Sequence, residues 1–207
     1  VDVPDMWQDK LANGIKVLGT QSLETPTTSI LIKVPAGQYY ESKDKAGMSS
    51  LMAAMLNEST AKRSSEDMSK ELQKLGSSVG ISSDDHYLSI NINTLTKNLD
   101  KTMALVNEKM MQPAFEADEF ARVKNNVIQG IRNSKKDAGY LASATYRKLM
   151  FGDTLAGMPD GGTEETVGKL TVKDISDFYQ RHFKPADAQL IVVSDLKEDK
   201  LKKTLAT

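Results

Sequence analysis

The sequence predicts an α+β domain, a six-stranded and mostly antiparallel sheet packed against a layer of helices. Three observations predict it. Short stretches alternate with period two, as in His86 to Leu95, where Leu88, Ile90, Ile92 and Thr94 oppose Ser89, Asn91 and Asn93. Longer stretches space apolar residues at i, i+3 and i+4, as in Met48, Leu51, Met52, Met55 and Leu56. The helical stretches also cluster between strand pairs instead of alternating with each strand, which favours α+β over α/β.

The elements follow in order. Trp7 to Leu11 and Ile15 to Leu18 flank Asn13-Gly14, the dipeptide best suited to the positive φ angles of a type I′ turn, so the chain opens as a hairpin. A strand at Ser29 to Val34 follows the breaker Thr25-Pro26. The helix around Met48 to Leu56 buries its apolar set on one face and leaves a stripe of small residues, Ser50, Ala53, Ala54 and Asn57, on the other. A helix from Ser65 to Leu75, capped by Ser64 or Ser65 and stopped by Gly76, precedes strands at Ser77 to Ser83 and His86 to Leu95. Three helices come next, defined by Leu99, Met103, Val106 and Met110, then by Phe120, Val123, Val127 and Ile131, then by Leu141, Thr145 and Leu149, with Gly152 as the last stop. The glycine-rich stretch Gly157 to Gly162 and the following Thr163 to Thr166 read as a connector. They lack the Gly-Lys-Ser/Thr ending of a phosphate loop. Thr171 with Asp174 at the third position is a capping box opening a helix through Arg181. The apolar run in Ala188 to Val193 reads as a short buried strand, and the chain stops in a charged helical stretch. Both ends suggest a piece of something longer, with residues 1–207 as one domain.

Composition narrows the function classes. With 39% hydrophobic and 27% charged residues, the chain belongs with folded globular proteins. A formal net charge of −1 supplies no field for nucleic acid or anionic membrane. The absence of cysteine removes disulfides, thiolate metal sites and thiol nucleophiles. No apolar run approaches the ~20 residues that span a bilayer, and no cationic-then-apolar leader is expected from the opening residues.

Candidate chemistry is sparse. Asp84-Asp85-His86 is the sole clustered set of ligand-type residues, and neighbours in an extended chain point to opposite faces, so a polar turn is the expectation. His182, beside Arg181 and Lys184, stands in a cationic setting at a helix end, where the helix dipole favours it. Ser49 and Ser50 lack the strand-to-helix elbow of a serine hydrolase.

Several motifs in order carry a resemblance. Leu11-Ala12-Asn13-Gly14-Ile15-Lys16-Val17 resembles the L-x-N-G-x-x-V hairpin of insulinase/pitrilysin zinc metallopeptidases. Ala36-Gly37 with Glu41, then Gly47, then Glu58-Ser59-Thr60 resemble that family's frame around its zinc helix. Leu72 to Gly76, Gln112-Pro113-Ala114-Phe115, Phe151-Gly152-Asp153, Gly162-Thr163, Leu170-Thr171 and Lys184-Pro185-Ala186-Asp187-Ala188 continue it across nearly the whole chain.

The resemblance implies a metallopeptidase-like, processing-peptidase-like fold without its chemistry. Active members carry H-x-x-E-H on this helix, two histidines binding zinc and a glutamate activating water, with a further glutamate ligand about seventy-five residues on. Carried over, the histidines fall on Ser50 and Ala54, the catalytic glutamate on Ala53 and the later ligand on Gly130. No catalytic, metal or cofactor residue is therefore expected here, and zinc is expected only in a catalytic half of the parent protein. The pattern resembles the first domain of the inactive C-terminal half of a large bacterial zinc protease. That implies a partner, the catalytic N-terminal half or subunit, and a shared chamber enclosing a peptide substrate, in the periplasm or cell envelope of a Gram-negative bacterium. Two other readings stand open: a stand-alone inactive homologue serving a separate catalytic subunit, and an unrelated enzyme built on Asp84, Asp85 and His86.

Overall fold

Six strands, β1 (Met6–Lys10), β2 (Lys16–Gln21), β3 (Thr27–Val34), β4 (Ser78–Ser83), β5 (Leu88–Leu95) and β6 (Gln189–Ser194), form one sheet in the order β1-β2-β6-β3-β5-β4. The computed structural model describes residues 5–11 and 14–205. Every neighbouring pair is antiparallel except β2 and β6. That pair lies far apart in sequence, so a parallel alignment needs no tight turn. β1 and β2 pair with Met6 opposite Thr20 and Lys10 opposite Lys16, as a hairpin requires. Asn13, half of the expected turn, lies outside the described residues; Gly14 has φ +91°.

Eight helices, α1 (Met48–Leu56), α2 (Ser65–Lys74), α3 (Leu99–Met111), α4 (Ala117–Ser134), α5 (Ala138–Phe151), α6 (Glu164–Lys169), α7 (Val172–His182) and α8 (Glu198–Leu205), complete the described fold. The core joins one face of the sheet, including Ile30, Ile90, Ile92 and Val192, to Leu51, Met52 and Met55 of α1 and to Val123 and Ile175 from α4 and α7. Caps fall where the sequence puts them. Ser64 accepts the Asp67 N–H at the start of α2, and Thr171 and Asp174 form the reciprocal capping box of α7.

Three expectations need correction, and one helix proves more open than the others. The connector reading stops short at Thr163, which opens α6 through its own capping box with Thr166. A threonine at the third position closes the box as a glutamate would. The single buried face foreseen for α1 is too narrow, because Ser49 and Ala53 are buried along with the apolar set. The sheet, α4 and α7 all pack on this helix. Helix α5 forms as foreseen but buries none of its residues, and Leu149 is 80% exposed. Finally, β6 is covered on one side only: Leu190 and Val192 are buried, while Ile191 and Val193 are 40% and 39% exposed.

The second face of the sheet carries no layer among the described residues. Across all six strands one row reads Gln8, Leu18, Ile191, Leu31, Asn91, Gly80, and the next reads Lys10, Lys16, Gln189, Lys33, Ser89, Ser82. Alternate strand residues turn to this side, as pleating demands.

Candidate functional site

Helix α1, the element that the family resemblance marks, is held at its beginning, its side and its end. At the beginning Gly47 takes φ +95°, and a Cβ there would meet the Gly161 carbonyl oxygen at 2.5 Å. A Cβ on Gly162 would stand 2.1 Å from the Ala46 oxygen, so the glycine-rich loop packs on the start of α1 through close backbone approach. The Glu41 carboxylate accepts the N–H groups of Gly47 (2.7 Å) and Ser49 (2.6 Å), satisfying donors that an α-helix leaves open at its first turn. Burial pushes the Glu41 carboxyl above its ordinary range despite those bonds.

At the end, Lys109 of α3 is buried and donates from Nζ to the Asn57 carbonyl at 2.9 Å. Burial lowers its pKa. The segment leaving α1 is then fixed on α3: Arg63 grips Glu108 in a bidentate pair at 2.8 and 2.9 Å, and the Thr60 hydroxyl donates to the same carboxylate at 2.6 Å. Burial pushes the Glu108 carboxyl up, and the bonds from Arg63 and Thr60 outweigh it, holding the group below its usual range.

At the side, the Asn57 carboxamide meets β4. Its Nδ2 donates to the Ile81 carbonyl at 2.9 Å, and its Oδ1 accepts the Ile81 N–H at 3.2 Å. Strand β4 is an edge strand, so its outward N–H and C=O groups offer a template for another strand. Asn57 occupies one such pair near the middle of the strand and stands in for a neighbouring backbone.

Within this frame the carried-over positions hold no chemistry. Ser50 is half-buried and its hydroxyl donates to the Asp160 carbonyl at 3.3 Å. Ala53 is buried and Ala54 half-buried on α1. Gly130 lies on α4, which packs on α1, and a Cβ there would meet nothing within 4 Å. Methyl groups bring no lone pair to a cation, and the Ser50 hydroxyl is a weak ligand beside imidazole or carboxylate. Among the described residues no group of three His, Cys, Asp or Glu side chains is placed to hold a metal ion.

The other candidates resolve into structural roles. Asp84 to Tyr87 is a polar turn in which Asp84 Oδ1 accepts the N–H groups of His86 (2.8 Å) and Tyr87 (2.7 Å). His86 stacks edge-on against Tyr39, with ring centroids 4.7 Å apart. Asp85 pairs instead with Arg147 of α5 at 3.3 Å, and Arg147 also binds Asp160. Burial, and secondarily Asp85, push the Asp160 carboxyl up, while Arg147 opposes them. His182 is the last residue of α7, packed on Phe178 at 4.6 Å and Tyr40 at 5.3 Å. Burial, then Arg181 and Lys184, lower its pKa, in opposition to the helix dipole that favours its charge. Ser49 is buried beneath Glu41 with no histidine among its hydrogen-bond partners.

The sequence reading missed Asn57, Lys109 and Arg147 as organisers. The one signal available for Lys109 was its place on the apolar face of its helix, four residues after Leu105 and three after Val106; Asn57 and Arg147 look like ordinary surface residues until the fold brings Ile81, Asp85 and Asp160 to them.

A six-stranded mixed sheet backed by helices, with α1 clamped between the half-buried Glu41 and the buried Lys109, defines an α+β scaffold. The chain belongs to the insulinase family, peptidase family M16, whose model matches residues 16–158; the model for the peptidase M16 inactive domain matches residues 169–207. The peptidase M16 inactive domain from Pseudomonas fluorescens superposes with a TM-score of 0.90 at 22% identity, covering 98% of this chain and 49% of that one. The periplasmic protease PqqL from Escherichia coli superposes at 0.85 and 18% identity, covering all of this chain and 24% of that one. Among curated relatives, subunit 1 of the mitochondrial cytochrome b-c1 complex of Bos taurus is 22% identical over 96% of this chain and 41% of its own length. The non-peptidase homolog YmxG of Helicobacter pylori is 23% identical over 87% of this chain and 42% of its own length. The chain thus spans about half the length of the curated relatives it matches, or less. Among the described residues no helix is long and apolar enough to cross a membrane.

Proposed function

We propose that this chain is a non-catalytic domain of an insulinase-family zinc peptidase, a wall of a peptide-enclosing chamber that works beside the catalytic half. One observation carries the reading. The scaffold around α1 is kept complete, with Glu41, Lys109 and Asn57 all engaged, while Ser50, Ala53, Ala54 and Gly130 offer nothing that could bind zinc or activate water. A wall can keep a fold and lose a metal site, because holding a peptide in place needs shape and hydrogen-bonding surface, not a Lewis acid. The chain requires no cofactor; zinc belongs to its partner. The neighbour named as a periplasmic protease supports placement in a Gram-negative periplasm or envelope.

A second reading is supported by the names of the relatives. A cytochrome b-c1 subunit and a non-peptidase homolog are both similar to this chain, which suits a stand-alone inactive homologue serving as a partner or core subunit. The two readings separate on whether an H-x-x-E-H domain is encoded on the same polypeptide. The test of the first is reconstitution: this chain, within its parent half, mixed with the half that bears the zinc motif. Hydrolysis of an unstructured peptide rises on mixing if the chamber reading holds, and unchanged hydrolysis contradicts it.

A further inference from the structure

The uncovered face of the sheet has a pattern of its own. The sequence run Leu190 to Val193 reads as a strand covered on both sides, yet the structure covers one side and leaves Ile191 and Val193 open. Ile191 stands between Leu18 and Leu31 in the cross-strand register, so the three make a continuous apolar strip over the centre of the sheet. Neither Leu18 nor Leu31 joins the core on the other side. The neighbouring row brings Lys10, Lys16 and Lys33 to the same face, and none of them pairs with a carboxylate among the described residues. Lys33 lies over the Tyr87 ring at 4.2 Å, with its charge held at the surface. No strand residue on this face is acidic. On the β4–β5 side the face carries serine and asparagine, groups that can hydrogen-bond a polypeptide backbone.

We infer that this face binds an extended polypeptide segment that alternates acidic and apolar residues, its apolar side chains on the Leu18–Ile191–Leu31 strip and its carboxylates toward Lys10, Lys16 and Lys33. The inference rests on the chamber reading and adds the chemical class of peptide. Charge complementarity selects this occupant. Unpaired lysines on an exposed face attract acidic segments and repel basic ones, and a permanent domain interface would be depleted of charge at its core. The neighbouring edge strand adds nothing to this binding at Ile81, whose outward groups Asn57 already holds.

The test is fluorescence anisotropy with three labelled, unstructured peptides of equal length. Each has leucine at the same alternate positions, with glutamate, serine or lysine between. The glutamate peptide binds about tenfold more tightly than the lysine peptide at low salt, and the preference shrinks as salt screens it. The triple variant Lys10→Glu, Lys16→Glu, Lys33→Glu, checked by circular dichroism for retained fold, reverses the order. Ile191→Ser weakens all three peptides together. Equal binding of the glutamate and lysine peptides overturns the charge assignment and leaves the chamber reading standing. Binding of no peptide, with the reconstituted halves still hydrolysing, overturns the assignment of this face. Binding of none with no hydrolysis on mixing overturns both.

Discussion

The surroundings of α1 and those of α5 make opposite use of the same kinds of residue. Around α1 polar side chains are engaged one by one, the buried Ser49 hydroxyl excepted: Glu41 takes the first-turn N–H groups, Lys109 the last carbonyl, Asn57 the open edge of β4, and Arg63 the buried Glu108. Around α5 apolar residues such as Tyr146, Leu149 and Phe151 stand exposed, and Arg147 ties the helix to Asp85 and Asp160. The difference teaches where the fold is specified. The helix that the resemblance marks is held at its beginning, side and end, while the apolar side chains of α5 stand in the open.

The comparison breaks most severely at the buried pair. Arg63→Ala leaves the Glu108 carboxylate buried with only Thr60, and the expected loss is about 3 kcal/mol in denaturant unfolding. A smaller effect follows at the β4 edge, where Asn57→Ala unpairs both backbone groups of Ile81 and costs about 2 kcal/mol. Hydrogen exchange should show the Ile81 amide losing protection first, a local change that a general loss of stability would not single out. Next comes Asp174, whose carboxylate accepts the Thr171 N–H in the capping box of α7 and pairs with Lys45 at 2.5 Å. The Lys45 ammonium, then Thr171, hold its carboxyl down to about 2 from the unperturbed 3.8. Its stabilisation is therefore whole above the unfolded value and fades as pH falls through about 2. Asp174→Asn costs about 1 kcal/mol at neutral pH, and a pH series of melting temperatures should show the variant and the parent converging in acid. The smallest effect sharpens the contrast from the other side. Leu149→Ser on α5 changes stability by less than about 0.5 kcal/mol, since that side chain is 80% exposed; a large loss would show that α5 belongs to the core.

Much of the fold was legible because local signals agreed with the tertiary result. The limits of α1, the Thr171–Asp174 box and the inward set Leu88, Ile90, Ile92 and Thr94 all stand as read, and of the two caps offered for α2 the structure takes Ser64. What periodicity does not reveal is what covers a face. The apolar run in β6 reads as buried, because sequence pattern reports side-chain character and says nothing about what lies opposite. Helix α6 escaped notice because threonine, not glutamate, closes its capping box. The candidate site was legible only through resemblance. Nothing in Ser50, Ala53, Ala54 and Gly130 taken alone marks them as the positions of a zinc site, and the side chains that hold α1 in place reach it from Glu41, Lys109 and Ile81, distant in sequence.

Zinc titration of the 207-residue chain by calorimetry, with metal content measured after dialysis, tests the central claim most directly. The account predicts no stoichiometric zinc at any accessible concentration. Tight, stoichiometric zinc that is lost on changing Ser50 to alanine would contradict it.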